Sequence, residues 1–227
     1  AAAKQVVLLE AVKTAFAPGF QRMVAVARSG SIGQVRSVDA TFTKLVKSGR
    51  ELEGEDGGSI SELATYPLLA VVKLLGTDYT KVTTHSLKPA GSPVEVFSRI
   101  DVDFAGGIAS ARTGLGVKAE GELIVAGSTG YVYVPAPWWL TEYFETRFED
   151  QSKNKKYYYK FDGDGLRYEL AEFAVACHAM GVDYIGVCCG AGPHHIRAVA
   201  GAPHRRVPGP RAGGAEQGQG RGPARAS

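Results

Sequence analysis

Between residues 94 and 161 the chain is a succession of short alternating segments parted by tight turns, and this pattern restricts its fold more than any other feature. Val94, Val96, Ser98, Ile100, Val102 and Phe104 share one face of an extended segment, with Glu95, Arg99, Asp101 and Asp103 on the other. Gly106-Gly107 supplies a hairpin turn into IASARTGLGV. Residues 122–126, a GSTG turn and YVYVPAPWW read as a second hairpin, and YFETRFED and KKYYYKFDG as further strands. Strands joined by so few residues pair antiparallel, because a parallel pair needs a long crossover. The expected class is α+β: a largely antiparallel open sheet with helices on one face. The opposite face, bearing charged and aromatic side chains, meets solvent, a partner or a second copy of the chain. Arg99, Asp101 and Asp103 there suit a cross-strand ion-pair ladder better than a metal site.

The first third of the chain is more helical. Residues 6–11 form an apolar run suited to a buried strand. Phe20, Val24, Val26 and Ala27 predict a helix that follows Pro18-Gly19 and ends at Ser29, with Gly30 as its C′ residue. In QVRSVDATFTKLV, Val38, Ala40 and Phe42 alternate with Asp39, Thr41 and Thr43, as in a half-buried strand. Residues 50–56 are polar and read as a loop. Ser59 or Ser61 is positioned to cap the next helix, whose expected buried stripe is Leu68, Leu69, Val72 and Leu75. Pro67 lacks an amide hydrogen and restrains Tyr66, so that helix either starts near Thr65 or is kinked at the tyrosine.

Composition excludes several classes. A formal net charge of +3 on 227 residues is too small to argue for nucleic acid or an acidic membrane surface. No apolar run is long enough to cross a bilayer, and the first residues do not read as a signal peptide. The three cysteines, Cys177, Cys188 and Cys189, offer no disulfide framework, which points to a reducing, cytoplasmic setting. After Lys160 every basic side chain is Arg or His, and residues 201–227 consist mostly of Gly, Pro, Ala and Arg. Such a tail buries too little apolar surface to offset its backbone entropy and is expected to be disordered.

The chemistry centres on GGSISELATYPLLAVVKLLG, residues 57–76. It sets Tyr66 one helical turn after Glu62, and a phenol so placed can donate a proton to a carbonyl oxygen. The competing reading is a tyrosine at the boundary of the core with its hydroxyl at the surface.

In order along the chain, VVLLEAVKTAFAPGFQRMVAVARSGSIGQVRSVDATF, this helix segment, GELIVAGSTGYVYVPAPWW and GDGLRYELAEFA resemble the glucose–fructose oxidoreductase/inositol dehydrogenase/MocA family. The resemblance covers about residues 1–174. It implies an NAD(P)-dependent oxidoreductase acting on a sugar, polyol or related carbonyl or alcohol. Residues 1–17 would be the last strand of a truncated Rossmann domain and residues 18–174 the C-terminal sheet domain. By the same resemblance Tyr66 is the catalytic proton donor, and Glu62 orients a substrate hydroxyl or holds a backbone donor. Lys13 lines the cleft or is a solvated loop lysine, and Trp138 and Trp139 form a substrate wall, a dimer contact or a cover over the sheet edge. The open sheet face is expected to form a homo-oligomer.

The family's glycine-rich phosphate loop and Glu-Lys-Pro motif are not found. GSIGQV follows a helix and precedes a strand, the reverse of a dinucleotide fingerprint. NAD or NADP is therefore expected in the intact family enzyme and not on this chain alone. A non-catalytic assembly domain is the alternative reading. Residues 175–200, through CCG-x-x-P-x-H-I-R, resemble the strand–helix end of homocysteine S-methyltransferases, with a join near residue 174. That resemblance implies zinc on Cys188 and Cys189, but the third family cysteine has no counterpart. Two half-buried thiols are the plainer expectation.

Overall fold

A computed structural model describes residues 12–54, 56–161, 165–181 and 193–202. The expected strand at residues 6–11, the cysteine pair and the tail beyond residue 202 lie outside them. Eight strands form one sheet in the order β2-β3-β4-β1-β5-β6-β7-β8. They are β1 Val35–Thr43, β2 Tyr79–Leu87, β3 Phe97–Phe104, β4 Gly107–Gly114, β5 Leu123–Gly127, β6 Tyr131–Val134, β7 Tyr143–Arg147 and β8 Lys155–Tyr158. All neighbouring pairs are antiparallel except β1 and β4, which run parallel with Ser37 opposite Ile108 and Thr43 opposite Gly114. The expected α+β class and the two hairpins are present.

The helices are α1 Pro18–Arg28, α2 Arg50–Glu53, α3 Ser59–Leu63, α4 Thr65–Leu75, α5 Leu166–Ala179 and α6 Pro193–Gly201, with a short 3₁₀ turn at Lys13–Phe16. α1 begins at a proline whose absent N–H is an orphan donor at that position anyway, and Gly30 follows its end at φ +85°. The core lies between α1, α4 and the sheet. Phe20 and Met23 meet Val38, Ala40, Ile100, Val102, Leu123, Val125, Val132 and Phe144, with Ala70, Val71 and Leu74 from α4.

Two expectations about the α3–α4 segment change, its buried stripe and its cap, while the start of α4 near Thr65 is as expected. The buried side of α4 is Pro67, Ala70, Val71 and Leu74, whereas Val72 is 45% exposed. α3 and α4 are parted at Ala64 because Pro67 has no hydrogen for the Leu63 carbonyl; the ladder resumes with Leu68 N–H to Ala64 O at 3.0 Å. Neither Ser59 nor Ser61 caps α3. Glu95 does so from across the fold, its Oε1 accepting from Ile60 N–H at 2.8 Å and its carbonyl from Ser59 N–H at 3.1 Å. Gly58 makes this possible: it sits at φ +99°, and a Cβ there would meet the Glu95 carboxylate at 2.6 Å. Ser59 instead shares a buried hydroxyl cluster with Ser98 and Thr113, both at 3.2 Å.

The alternation in β1 also reads differently in space. Thr41 and Thr43 are both buried although the alternation sets them opposite Ala40 and Phe42, and over Thr43 the segment after β4 folds. Thr43 Oγ1 donates to Ala119 O at 2.9 Å and accepts from Ala119 N–H at 3.0 Å. β2 has no periodic signal, being an edge strand exposed along nearly its whole length. Residue 174, the expected join, falls inside α5, which runs through it unbroken and packs on α6 through Ala171, Ala174, Val175, Val199 and Ala202.

Candidate active site

Tyr66 occupies the first turn of α4, half-buried against the end of β1. Its ring stands edge-on to Phe42, centroids 5.0 Å apart and planes at 81°. Phe42 in turn stacks on Trp139 at 3.9 Å and 15°. These three rings form a continuous aromatic wall between the start of α4 and the loop after β6. Large rigid rings, with a quadrupole that favours edge contact, hold such an arrangement without long flexible side chains.

Both flanks of the wall are anchored. Buried Thr14, in the 3₁₀ turn, donates its hydroxyl to the Trp139 carbonyl at 2.9 Å, which brings Lys13 to the same end of the molecule. Gly121 lies so close beneath Trp139 that a Cβ would meet its ring at 2.7 Å. Trp138, expected as a substrate wall, is instead wholly within the core. It is 0% exposed and donates its indole N–H to Thr41 O at 2.9 Å. Successive residues of the turn Trp138–Leu140 thus divide the work, one indole packing inward and the other stacking on Phe42. Of the two tryptophans offered as a substrate wall, only Trp139 lies on this aromatic wall, and Phe42 is the residue of it that the sequence did not mark.

Glu62 lies one turn before Tyr66, on α3, and forms an ion pair with Arg50 at 2.7 Å. Arg50 opens α2, in the segment expected to be a loop. The Glu62 side chain is 20% exposed and that of Arg50 67%, so the pair is half in water and orients the carboxylate more than it stabilises the fold.

A second carboxylate stands near Lys13. Glu169 on α5, which packs against the Lys13–Phe16 turn, has a buried Oε2 with no hydrogen-bond partner. Burial pushes the Glu169 carboxyl above the usual carboxylate range, and the Lys13 ammonium pulls it partly back. A folded-state pKa above the unfolded one means the folded protein binds the proton more tightly. The associated stability is therefore full below the unfolded pKa and lost as pH rises through the folded one. Glu169→Gln is expected to be more stable than the parent at neutral pH, the difference shrinking on acidification. Urea denaturation from neutral to mildly acidic pH measures this, and a difference that grows toward acid would reverse the assignment.

Other places offer less chemistry. A cavity of about 360 Å³ at the far end of α4, beside Leu74 and Leu75, has Arg28 as its one charged lining residue. Among the described residues no group of three or more His, Cys, Asp or Glu is placed to hold a metal ion. No helix among them is long and apolar enough to cross a membrane.

No family model matches the chain, and no curated protein matches it by sequence. Solved structures do match by fold. A 3-ketoreductase from Actinomadura kijaniata, in complex with NADP and TDP-benzene, is 16% identical with TM-score 0.67 over 88% of this chain and 62% of its own. An aldose-aldose oxidoreductase from Caulobacter crescentus, complexed with glycerol, is 16% identical with TM-score 0.63, covering 85% and 58%. UDP-N-acetylglucosamine 3-dehydrogenase from Acidithiobacillus ferrooxidans is 16% identical with TM-score 0.62, covering 89% and 61%. The chain thus spans about three-fifths of the length of each. None of the three is a methyltransferase, and the homocysteine S-methyltransferase resemblance of residues 175–200 gains no support. The eight-stranded, mostly antiparallel sheet with its flanking helices accordingly shares the fold of these oxidoreductases over the matched length.

Proposed function

We propose that this chain forms the substrate side of a hydride-transfer site in an NAD(P)-dependent oxidoreductase acting on a sugar, polyol or related small carbonyl or alcohol. The observation that carries the reading is the placement of Tyr66 in the first turn of α4, against the Phe42–Trp139 stack and one turn beyond Glu62. An aromatic wall of this kind suits the apolar face of a sugar ring. Tyr66 donates its phenolic proton to the substrate oxygen in reduction and takes it back in oxidation. Glu62, steered by Arg50, accepts a hydrogen bond from a neighbouring substrate hydroxyl, and Lys13 approaches from the opposite flank.

The cofactor, when bound, supplies or accepts the hydride. The described residues do not fit its pyrophosphate. The glycine-containing turn Gly30–Gln34 leads from the end of α1 into β1 and so presents no helix N-terminus. Its Gly33 is packed so tightly that a Cβ would meet Ser128 Oγ at 2.2 Å. In this reading the cofactor's pyrophosphate is held by residues outside those described. Titration of this chain with NADH, followed by fluorescence or calorimetry, is expected to show no saturable binding. Supplied with a nicotinamide-binding domain, it is expected to turn over members of a sugar and polyol panel. Tight NADH binding by the chain alone overturns the division of labour, and no turnover across the panel overturns the oxidoreductase reading.

An assembly role is favoured by one further feature. On the sheet face away from the helices, Ile108, Tyr131 and Tyr158 are 58%, 36% and 73% exposed, among charges such as the Arg99–Asp101 and Arg147–Glu145 pairs. This mixture of aromatic, aliphatic and paired charge suits a homo-oligomeric contact across the open face. Light scattering after size exclusion distinguishes a dimer from a monomer.

A further inference from the structure

The loop between β6 and β7, together with Phe161 after β8, borders a cavity of about 280 Å³ whose lining shares no residue with the Phe42–Tyr66–Trp139 wall. Pro135, Pro137, Leu140, Tyr143 and Phe161 make that lining largely apolar and aromatic. Among the described residues, Glu142 is its one charged member. With no basic side chain and no histidine beside it, an anion finds no counter-charge there, whereas a cation does. An ammonium ion is also attracted to aromatic rings, and Tyr143 and Phe161 supply two.

The surroundings leave the carboxylate in place. Glu142 is exposed and forms no ion pair with any described residue, while its carbonyl accepts from Tyr159 N–H at 2.7 Å and fixes the backbone there. The Tyr143 hydroxyl donates to Glu145, and its ring lies 4.8 Å from that of Tyr158. Attraction between a cation and a ring is electrostatic, so a carboxylate drawing on the phenol proton strengthens it. Phe161 packs on Tyr168, ring centroids 5.8 Å apart and planes at 64°. The loop itself is tied by Leu140 N–H to Pro137 O at 2.9 Å and by the Thr141 hydroxyl to Trp138 O at 2.5 Å, so the walls stand before a ligand arrives. A primary ammonium needs acceptors for three N–H groups. Of the lining side chains, only the Glu142 carboxylate is an acceptor not already engaged. Methyl groups need no acceptor and suit proline, leucine and ring surfaces.

We infer that this cavity binds a small methylated ammonium ion, with Glu142 as the counter-charge and Tyr143 and Phe161 as the aromatic partners. The assignment does not depend on the oxidoreductase reading. Calorimetric titration of the full 227-residue chain with choline chloride, ionic strength held constant with sodium chloride, tests it. One saturable site is expected, together with a choline-dependent rise in Tm. Glu142→Gln is expected to weaken binding about ten-fold, as for loss of a partly solvated counter-charge. Glu149→Gln, which removes another exposed carboxylate outside the lining, is expected to bind as the parent does. Phe161→Leu, which keeps an apolar side chain and removes the ring, is expected to weaken binding about three-fold. No saturable binding, or an affinity of Glu142→Gln equal to the parent's, overturns the proposal. Neopentyl carbinol, the uncharged carbon isostere of choline, binding as tightly as choline overturns the cation assignment. Ethanolamine binding as tightly as choline overturns the preference for a methylated ion.

Discussion

Tyr66→Phe, in the chain supplied with a nicotinamide-binding domain, is expected to lower kcat by about 10²- to 10⁴-fold, the usual contribution of a positioned acid or base. The substitution removes one oxygen and keeps the ring, so the edge contact to Phe42 is retained. A proton donor used only as the carbonyl becomes an alcoholate affects kcat and kcat/KM together, whereas a mere binding contact raises KM alone. Steady-state kinetics of parent and variant on the best panel substrate separates these outcomes. Turnover equal to the parent's would return Tyr66 to the role of a core-boundary residue. Glu62→Gln is a useful comparison, because it weakens the ion pair to Arg50 at the same time as it removes the proposed substrate contact.

Trp138→Ala is expected to cost about 3–5 kcal/mol, the range for deleting a large aromatic side chain from a core. The side chain is fully buried, 6.1 Å from Phe20 and 6.3 Å from Trp139 between ring centroids, and its N–H satisfies the Thr41 carbonyl. Removal leaves a cavity that crosses the contact between α1 and β1 and an unsatisfied buried acceptor. Domains have total stabilities of roughly 5–15 kcal/mol, so the variant stands close to unfolding. Urea denaturation monitored by circular dichroism measures the loss. A change smaller than about 1 kcal/mol would mean that Trp138 packs less completely than its burial indicates. Trp138→Phe, which keeps most of the volume and loses the hydrogen bond, separates the two contributions. Trp139→Ala offers the contrast: its stacking partner Phe42 is half-buried, so substrate affinity is expected to suffer more than stability.

Much of the sheet was legible because its strands alternate and its turns are short. Ile100 and Val102, or Val132 and Val134, face the core with period two, and the intervening glycines limit the connections. β2 was not legible, since an edge strand wet on both sides has no reason to alternate. Nor could local pattern reveal that Glu95 caps α3: the residues are distant in sequence, and the signal lies in Gly58, whose missing Cβ admits the carboxylate. In the candidate site, Tyr66 and Glu62 were marked by the family resemblance of their segment, their one-turn spacing only allowing the role. Trp139 was not distinguished from Trp138, because adjacent aromatics are alike until a turn sends one inward and one outward.

The sequence by itself determined the α+β class, the antiparallel hairpins, the ends of α1 and the break before α4. Each follows from interactions within a few residues: apolar period, glycine at positive φ, or a proline without a donor. Tertiary structure alone decided that β1 lies in the middle of the sheet, parallel to β4, because that pairing is made across a long crossover. It alone joined Phe42, Tyr66 and Trp139 into one wall. Those neighbours are far apart along the chain, and only burial of the shared core brings them together.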